Sequence, residues 1–156
     1  ELYCGNGNFS LAMAPNFRRA LGTEISKVSV DAAQWNIEAN RLTNITIAAM
    51  SSEEFTACLK DEADEKVMKK LGGPDLSSYD FSTVLVDPPR AGMDEASCRM
   101  VTDYDNIVYI SCNPETLRAN LDILCETHRI ERFAVFDQFP YTAHLECGAY
   151  LVRRTQ

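Results

Sequence analysis

Long hydrophobic runs are missing from this chain: no apolar stretch approaches the roughly 18 to 20 residues that a membrane-spanning helix needs, and no charged-then-apolar leader opens it. Histidine is scarce, with only His128 and His144. The six cysteines, Cys4, Cys58, Cys98, Cys112, Cys125 and Cys147, form no CxxC pair and no zinc-type spacing. These absences argue against a structural metal site and a disulfide framework, and they suit free thiols in a reducing cytoplasm. An excess of positive charge is lacking too. With 15 Lys and Arg against 23 Asp and Glu, the net charge is −8. That balance argues against a domain that grips nucleic acid by charge alone. Any polynucleotide partner would need local basic spots, for which Arg18-Arg19, Arg90, Arg99, Arg118 and Arg153-Arg154 are the candidates, or contacts from a part of the protein outside this chain. No internal repeat or low-complexity segment is present.

What is there suits one globular domain. The 156 residues can bury a real core, and 46% hydrophobic with 24% charged is an ordinary balance. The abrupt start at Glu1-Leu2-Tyr3, a few strand-like residues before a glycine motif, suggests a strand cut through its middle and a fragment of a longer protein.

Strand-like and helix-like segments alternate. Helices are expected over 8–14, 27–42, 52–71, 94–104 and 115–127. Strands are expected ending at Tyr3, then over 20–25, 45–50, 81–86, 107–111, 130–136 and 147–152. Ser51-Ser52-Glu53-Glu54 reads as a helix N-cap with acids in the first turn, and Gly72-Gly73-Pro74 as a break. Such alternation implies an α/β fold, a doubly wound and mostly parallel sheet with helices on both faces. The last two strands are too close for a crossover helix, so they should pair antiparallel.

Four motifs could carry chemistry. Tyr3-Cys4-Gly5-Asn6-Gly7-Asn8-Phe9 joins the first strand to the first helix, where glycines let backbone pass close to a ligand. Glu24, seventeen residues after Gly7 and at the end of the next strand, can accept both hydroxyls of an adenosine ribose. A plain glycine turn and a surface glutamate would read the same. The missing third glycine argues against a dinucleotide pyrophosphate and leaves S-adenosylmethionine (SAM), which carries no phosphate.

Asp87-Pro88-Pro89-Arg90 ends an apolar strand and makes a stiff loop with Asp87 at its head. Methyltransferases that act on exocyclic amino groups carry an aromatic after such prolines; Arg90 stands there instead. Ser111-Cys112-Asn113-Pro114-Glu115 puts a cysteine at a strand end, before a helix. Taken alone, such a cysteine is more often an inert thiol than a nucleophile. A reactive one would act as the thiolate, which a helix amino end favours. His144-Leu145-Glu146-Cys147-Gly148 lies between the last two strands, after the aromatic stretch Phe136-Asp137-Gln138-Phe139-Pro140-Tyr141. A carboxylate against apolar rings can serve as a base, whereas one in a solvated hairpin is inert. His144 reads as a positioning or packing residue.

Taken together, YCGNGNF, DPPR, SCNPETL and FDQFPYTAHLECG, in this order and spacing, closely resemble the RNA uracil-5-methyltransferases, in particular the branch that makes ribothymidine in the T-loop of tRNA. The likeness spans essentially the whole chain. It implies a Rossmann-like class I SAM-dependent methyltransferase domain with an antiparallel last strand. Carried over by position, Tyr3, Gly5, Asn8, Glu24 and Asp87 match SAM-contacting positions, Cys112 the nucleophile, Glu146 the general base, and Arg90 an arginine that supports catalysis. No metal and no membrane is implied. The family's amino-terminal RNA-binding part is absent here, as is a glutamine that contacts SAM. Docking on the tRNA T-arm is therefore expected to need that missing part. Ribosomal-RNA members share SCNP and DPPR, and a SAM-binding fragment without activity of its own is the remaining alternative.

Overall fold

The computed structural model describes residues 1–73, 75–142 and 144–155. They form two compact units, Glu1–Asp80 and Phe81 onwards.

In the first unit, α1 (Asn8–Met13), β1 (Ala20–Thr23), α2 (Lys27–Ala39), β2 (Ile45–Ala48), α3 (Ser52–Leu59) and α4 (Glu65–Lys70) follow in order. Strands β1 and β2 pair in parallel, Ala20 with Ile45 through Thr23 with Ala48, and Leu2 adds a single parallel bridge to Thr23. Ala14, Ile37 and Ile45 form a small core on which Leu11, Ala20, Leu42 and Ile47 pack. The expected cap at Ser51 is a full capping box: its hydroxyl accepts from the Glu54 N–H, and the Glu54 carboxylate accepts from the Ser51 N–H. The helix expected to run from Ser52 to Leu71 is instead two. Asp61 turns into the left-handed region at φ 57°, and Asp64 restarts the helix by accepting the Val67 N–H at 2.8 Å. Acidic side chains that bond neighbouring N–H groups compete with helix continuation.

In the second unit, β3 (Thr83–Val86), α5 (Glu95–Val101), β4 (Asn106–Ser111), α6 (Pro114–Leu124), β5 (His128–Phe136) and β6 (Glu146–Arg153) build a sheet in the order β3-β4-β6-β5. Strands β3 and β4 are parallel, while β6 inserts antiparallel to both β4 and β5, as the short connection demands. Val84, Leu85 and Val86 are all buried, the continuous pattern of an inner parallel strand. On β4 burial alternates, with Ile107, Tyr109 and Ser111 inward. Asp94 caps α5 and Asn113 caps α6, with Pro114 at its first position. Strand β5 is an edge along which only His128 is buried.

His128 sets a pH dependence of the fold. Its Nε2–H donates to the Tyr104 carbonyl at 2.8 Å, its Nδ1 lies 2.8 Å from the Thr127 hydroxyl, and burial pushes its pKa down. Below the ordinary value of about 6.5 the unfolded chain takes up a proton that the folded imidazole resists, so stability falls as pH drops from there. The thermal midpoint of the wild type should therefore decline more steeply between pH 7 and 5 than that of His128→Asn. Equal slopes would contradict this role.

Candidate active site

In the first unit the glycine motif is a loop of left-handed residues: Tyr3, Gly5 and Gly7 have φ of 65°, 55° and 84°. At Gly7 an added Cβ would also collide with Leu11, whereas above Gly5 there is open space. The loop is closed by Gly7 N–H donating to the Cys4 carbonyl at 2.8 Å. Glu24, one residue past β1, is half-buried, and one carboxylate oxygen accepts the Gly5 N–H at 3.0 Å. Its other oxygen accepts the Ser26 N–H at 2.7 Å. The acid thus ties the glycine loop to the strand end, and each oxygen keeps a further lone pair for a ligand hydroxyl. The Tyr3 hydroxyl accepts from Ser52 at 3.3 Å, and Asn8 opens α1 with its side chain exposed.

In the second unit Asp87, Arg90, Cys112 and Glu146 come together at one end of the sheet. Ser111 on β4 pairs with Cys147 on β6. Extending that antiparallel register by one residue sets Cys112 across from Glu146. Glu146 is the first residue of β6 and pairs with Phe136, so it belongs to the ladder and not to the turn where the sequence pattern put it. Cys112 and Glu146 are both half-buried. Asp87 follows the last residue of β3, next to β4, and is half-buried as well. Burial, and after it the negative charge of Glu146, holds the Asp87 carboxyl above its ordinary range.

Arg90 joins the turn after Cys112 to the segment before Glu146. Its carbonyl accepts from the Asn113 side-chain amide at 3.2 Å and from the Thr116 hydroxyl at 3.3 Å, both just past Cys112. Its guanidinium donates to His144 Nδ1, two residues before Glu146. That bond assigns His144 the tautomer with its proton on Nε2. His144, Asn113 and Thr116 thus all bond Arg90, although nothing in the motifs of Asn113 and Thr116 singled them out.

Asn120 was also missed. Its Oδ1 accepts from the Tyr109 hydroxyl at 2.6 Å and from the Met93 N–H at 2.9 Å, and its Nδ2 donates to the Met93 carbonyl at 2.8 Å. One buried amide thus locks α6 to β4 and to the loop that carries Arg90. The signal was there: Leu117, Asn120 and Leu124 share the buried stripe of α6, and a polar residue in such a stripe needs partners. Asn120→Leu should cost about 1 to 3 kcal/mol, since it leaves the buried Met93 N–H without its acceptor; a urea midpoint close to that of the wild type would contradict the lock.

Burial raises the pKa of the other five thiols, to about 12 at Cys4, to about 11 at Cys98, and upward at Cys58, Cys125 and Cys147. Of the basic spots, Arg19 bonds Ser78 and lies over the Tyr79 ring, Arg99 pairs with Glu95 and Glu126, Arg153 with Asp105, and Arg154 donates to the His128 carbonyl. These four already serve the protein's own structure. Among the described residues no helix is long and apolar enough to cross a membrane, and no cluster of three or more His, Cys, Asp or Glu is placed to hold a metal.

Comparison with known proteins places this geometry. The family model described as tRNA (uracil-5-)-methyltransferase matches residues 1–154. The chain belongs to that family. It is 58% identical over 154 residues to the tRNA/tmRNA (uracil-C(5))-methyltransferase of Aeromonas hydrophila subsp. hydrophila, covering 99% of this chain and 40% of that protein. To its counterpart in Neisseria meningitidis serogroup B it is 60% identical, covering 99% of this chain and 42% of that protein. The chain thus spans about two-fifths of the length of these family members. Among solved structures, the tRNA (uracil-54, C5)-methyltransferase of Pyrococcus abyssi, in complex with S-adenosyl-L-homocysteine, superposes with a TM-score of 0.70 at 28% identity over 97% of this chain and 33% of that one. The magnesium protoporphyrin IX methyltransferase of Synechocystis PCC 6803 shares the fold at a TM-score of 0.61 and 16% identity, covering 98% of this chain and 68% of that one. The fold is that of the class I SAM-dependent methyltransferases.

Proposed function

We propose that this chain is one catalytic domain, and that the protein containing it transfers the methyl group of SAM to carbon 5 of a uridine in the T-arm of tRNA, through a covalent adduct on Cys112. The observation that carries the reading is the β4–β6 register, which sets the one half-buried cysteine at the sheet end across from a half-buried glutamate. Family membership and the names of the relatives support the substrate class. Their greater length supports RNA docking by a further part of the protein, as does the net charge of −8.

The residues fit SAM. In the first unit, open space lies above Gly5 and Glu24 keeps acceptors for ribose hydroxyls, with Tyr3 and Asn8 at the two ends of the same loop. When bound, SAM supplies an electrophilic methyl group.

Carbon 5 of uracil is too weak a nucleophile to take that methyl directly. The Cys112 thiolate adds to carbon 6, forming an S–C6 bond while the C5=C6 π pair moves onto the O4 enolate. Carbon 5 then takes the methyl as the sulfonium S–CH3 bond breaks. Glu146 removes the carbon 5 proton, the C–H pair reforms C5=C6, and the S–C6 bond returns its pair to Cys112. Arg90 keeps guanidinium donors beyond the one given to His144, and these can hold the enolate oxygen. The target base reaches Cys112 by flipping out of its loop.

The test is transfer of isotope-labelled methyl from SAM to tRNA by a protein of the relatives' full length that contains this chain. The labelled nucleoside should be 5-methyluridine, at one T-loop position. Label on an exocyclic amino group, or only on ribosomal RNA, would replace this reading.

A further inference from the structure

The end of β5 and its connection to β6 carry large rings that the fold does not cover. Tyr141 is fully exposed, and Phe136 and Phe139 are 48% and 45% exposed. The turn that presents them is firmly held. Thr142 donates to the Phe139 carbonyl with its hydroxyl at 2.7 Å and with its N–H at 3.2 Å, and the His144 N–H returns to the Thr142 hydroxyl at 3.1 Å. Pro140 fixes the first corner. Tyr141 sits at the second with φ 66°, a conformation that favours glycine and costs a bulky residue. A rigid turn has thus been given an outward tyrosine at a position where glycine would fit with less strain.

Phe139 in this turn and Phe136 at the end of β5 both reach the proposed reaction centre. Phe139 lies edge-on to His144, with ring centroids 6.2 Å apart and planes at 78°, and His144 holds the guanidinium of Arg90. Phe136 pairs directly with Glu146. Flipping a uridine toward Cys112 and Glu146 leaves its neighbours in the strand without a stacking partner. Exposed aromatic faces beside the site can replace that partner with little reliance on positive charge, which suits this acidic chain.

We propose that the Phe139–Thr142 turn, with Phe139 and Tyr141 as its exposed rings, is a stacking platform for an unpaired nucleobase next to the target uridine in the RNA. This rests on the uridine-methylating reading above.

The experiment is steady-state methylation of a T-arm stem-loop by the full-length protein, comparing wild type with Tyr141→Ala, Phe139→Ala and Tyr141→Trp. Loss of one base–aromatic stack should raise the RNA KM about 5- to 150-fold, with the loss falling on KM rather than kcat. Tyr141→Trp should restore most of it, and SAM binding should not change. Tyr141→Gly should weaken RNA binding without lowering the thermal midpoint, because the turn relaxes. Stem-loops with an abasic site on either side of the target then identify the partner base. Removing that base should penalise the wild type but add little to the loss already seen in Tyr141→Ala. If the wild type methylates while the alanine variants keep its KM, or if the abasic penalty is the same in all of them, the platform is disproved. Variants that lose thermal stability but not RNA affinity would assign the rings to packing within the longer protein and also overturn it. A wild type that methylates no uridine would sink the parent reading, and this one with it.

Discussion

Replacing Cys112 by alanine is expected to abolish methyl transfer, by at least about four orders of magnitude, and to eliminate any denaturation-resistant complex with RNA. The size of the effect follows from the chemistry. Without the thiolate, carbon 5 stays part of an electron-poor ring, and no other residue in the site supplies a soft nucleophile. Cys125 is the other half-buried thiol; it caps the opposite end of α6 from Cys112, and burial raises its pKa. Cys125→Ala should therefore turn over like the wild type. Methyl transfer to tRNA and the intact mass of the protein–RNA mixture check both variants. A Cys112→Ala protein that still methylates would remove the covalent mechanism.

Glu146→Gln is expected to do something different. The amide keeps the shape of the side chain but cannot take the carbon 5 proton. Addition and methylation can occur once, and elimination then stalls. Turnover should fall about 10²- to 10⁴-fold, the usual contribution of a positioned base, while methylated adduct accumulates in stoichiometric amount. Asp87 is not expected to substitute. It follows a different strand, β3, whereas the β4–β6 register sets Glu146 across from Cys112. Quench and denaturing electrophoresis report the adduct; turnover at the wild-type rate with no accumulation would show that another group takes the proton.

The parts of the fold that are local were legible in the sequence. Phe81 to Val86 reads as a buried parallel strand because its run is continuous, and the structure keeps Thr83–Val86 of it as β3; Ser51 with Glu54 reads as a cap because the capping box is a four-residue pattern. The break between α3 and α4 was not legible: a charged stretch with helical composition looks alike whether Asp64 faces solvent or bonds the backbone. The site divides the same way. Glu24 was placed at a strand end correctly, but its bonds to Gly5 and Ser26 depend on how the loop folds back. The placing of Cys112 across from Glu146 follows from extending the register between strands over thirty residues apart in sequence, and their motifs do not contain it. Arg90 was found as a motif residue, yet its linking role rests on Asn113, Thr116 and His144, which only tertiary structure brings to it. Asn120 could have been found earlier, as the one polar residue in an apolar helical stripe.

Covalent attack by Cys112 on carbon 6 of a uridine is tested most directly by trapping. A T-arm stem-loop with 5-fluorouridine at the target position is mixed with SAM and the full-length protein, then denatured and weighed. Fluorine cannot leave as a proton does, so elimination should stall. The expected result is one methylated RNA adduct per protein, mapped by digestion to Cys112. Methylated product in the absence of any adduct, or an adduct on a different residue, would contradict it.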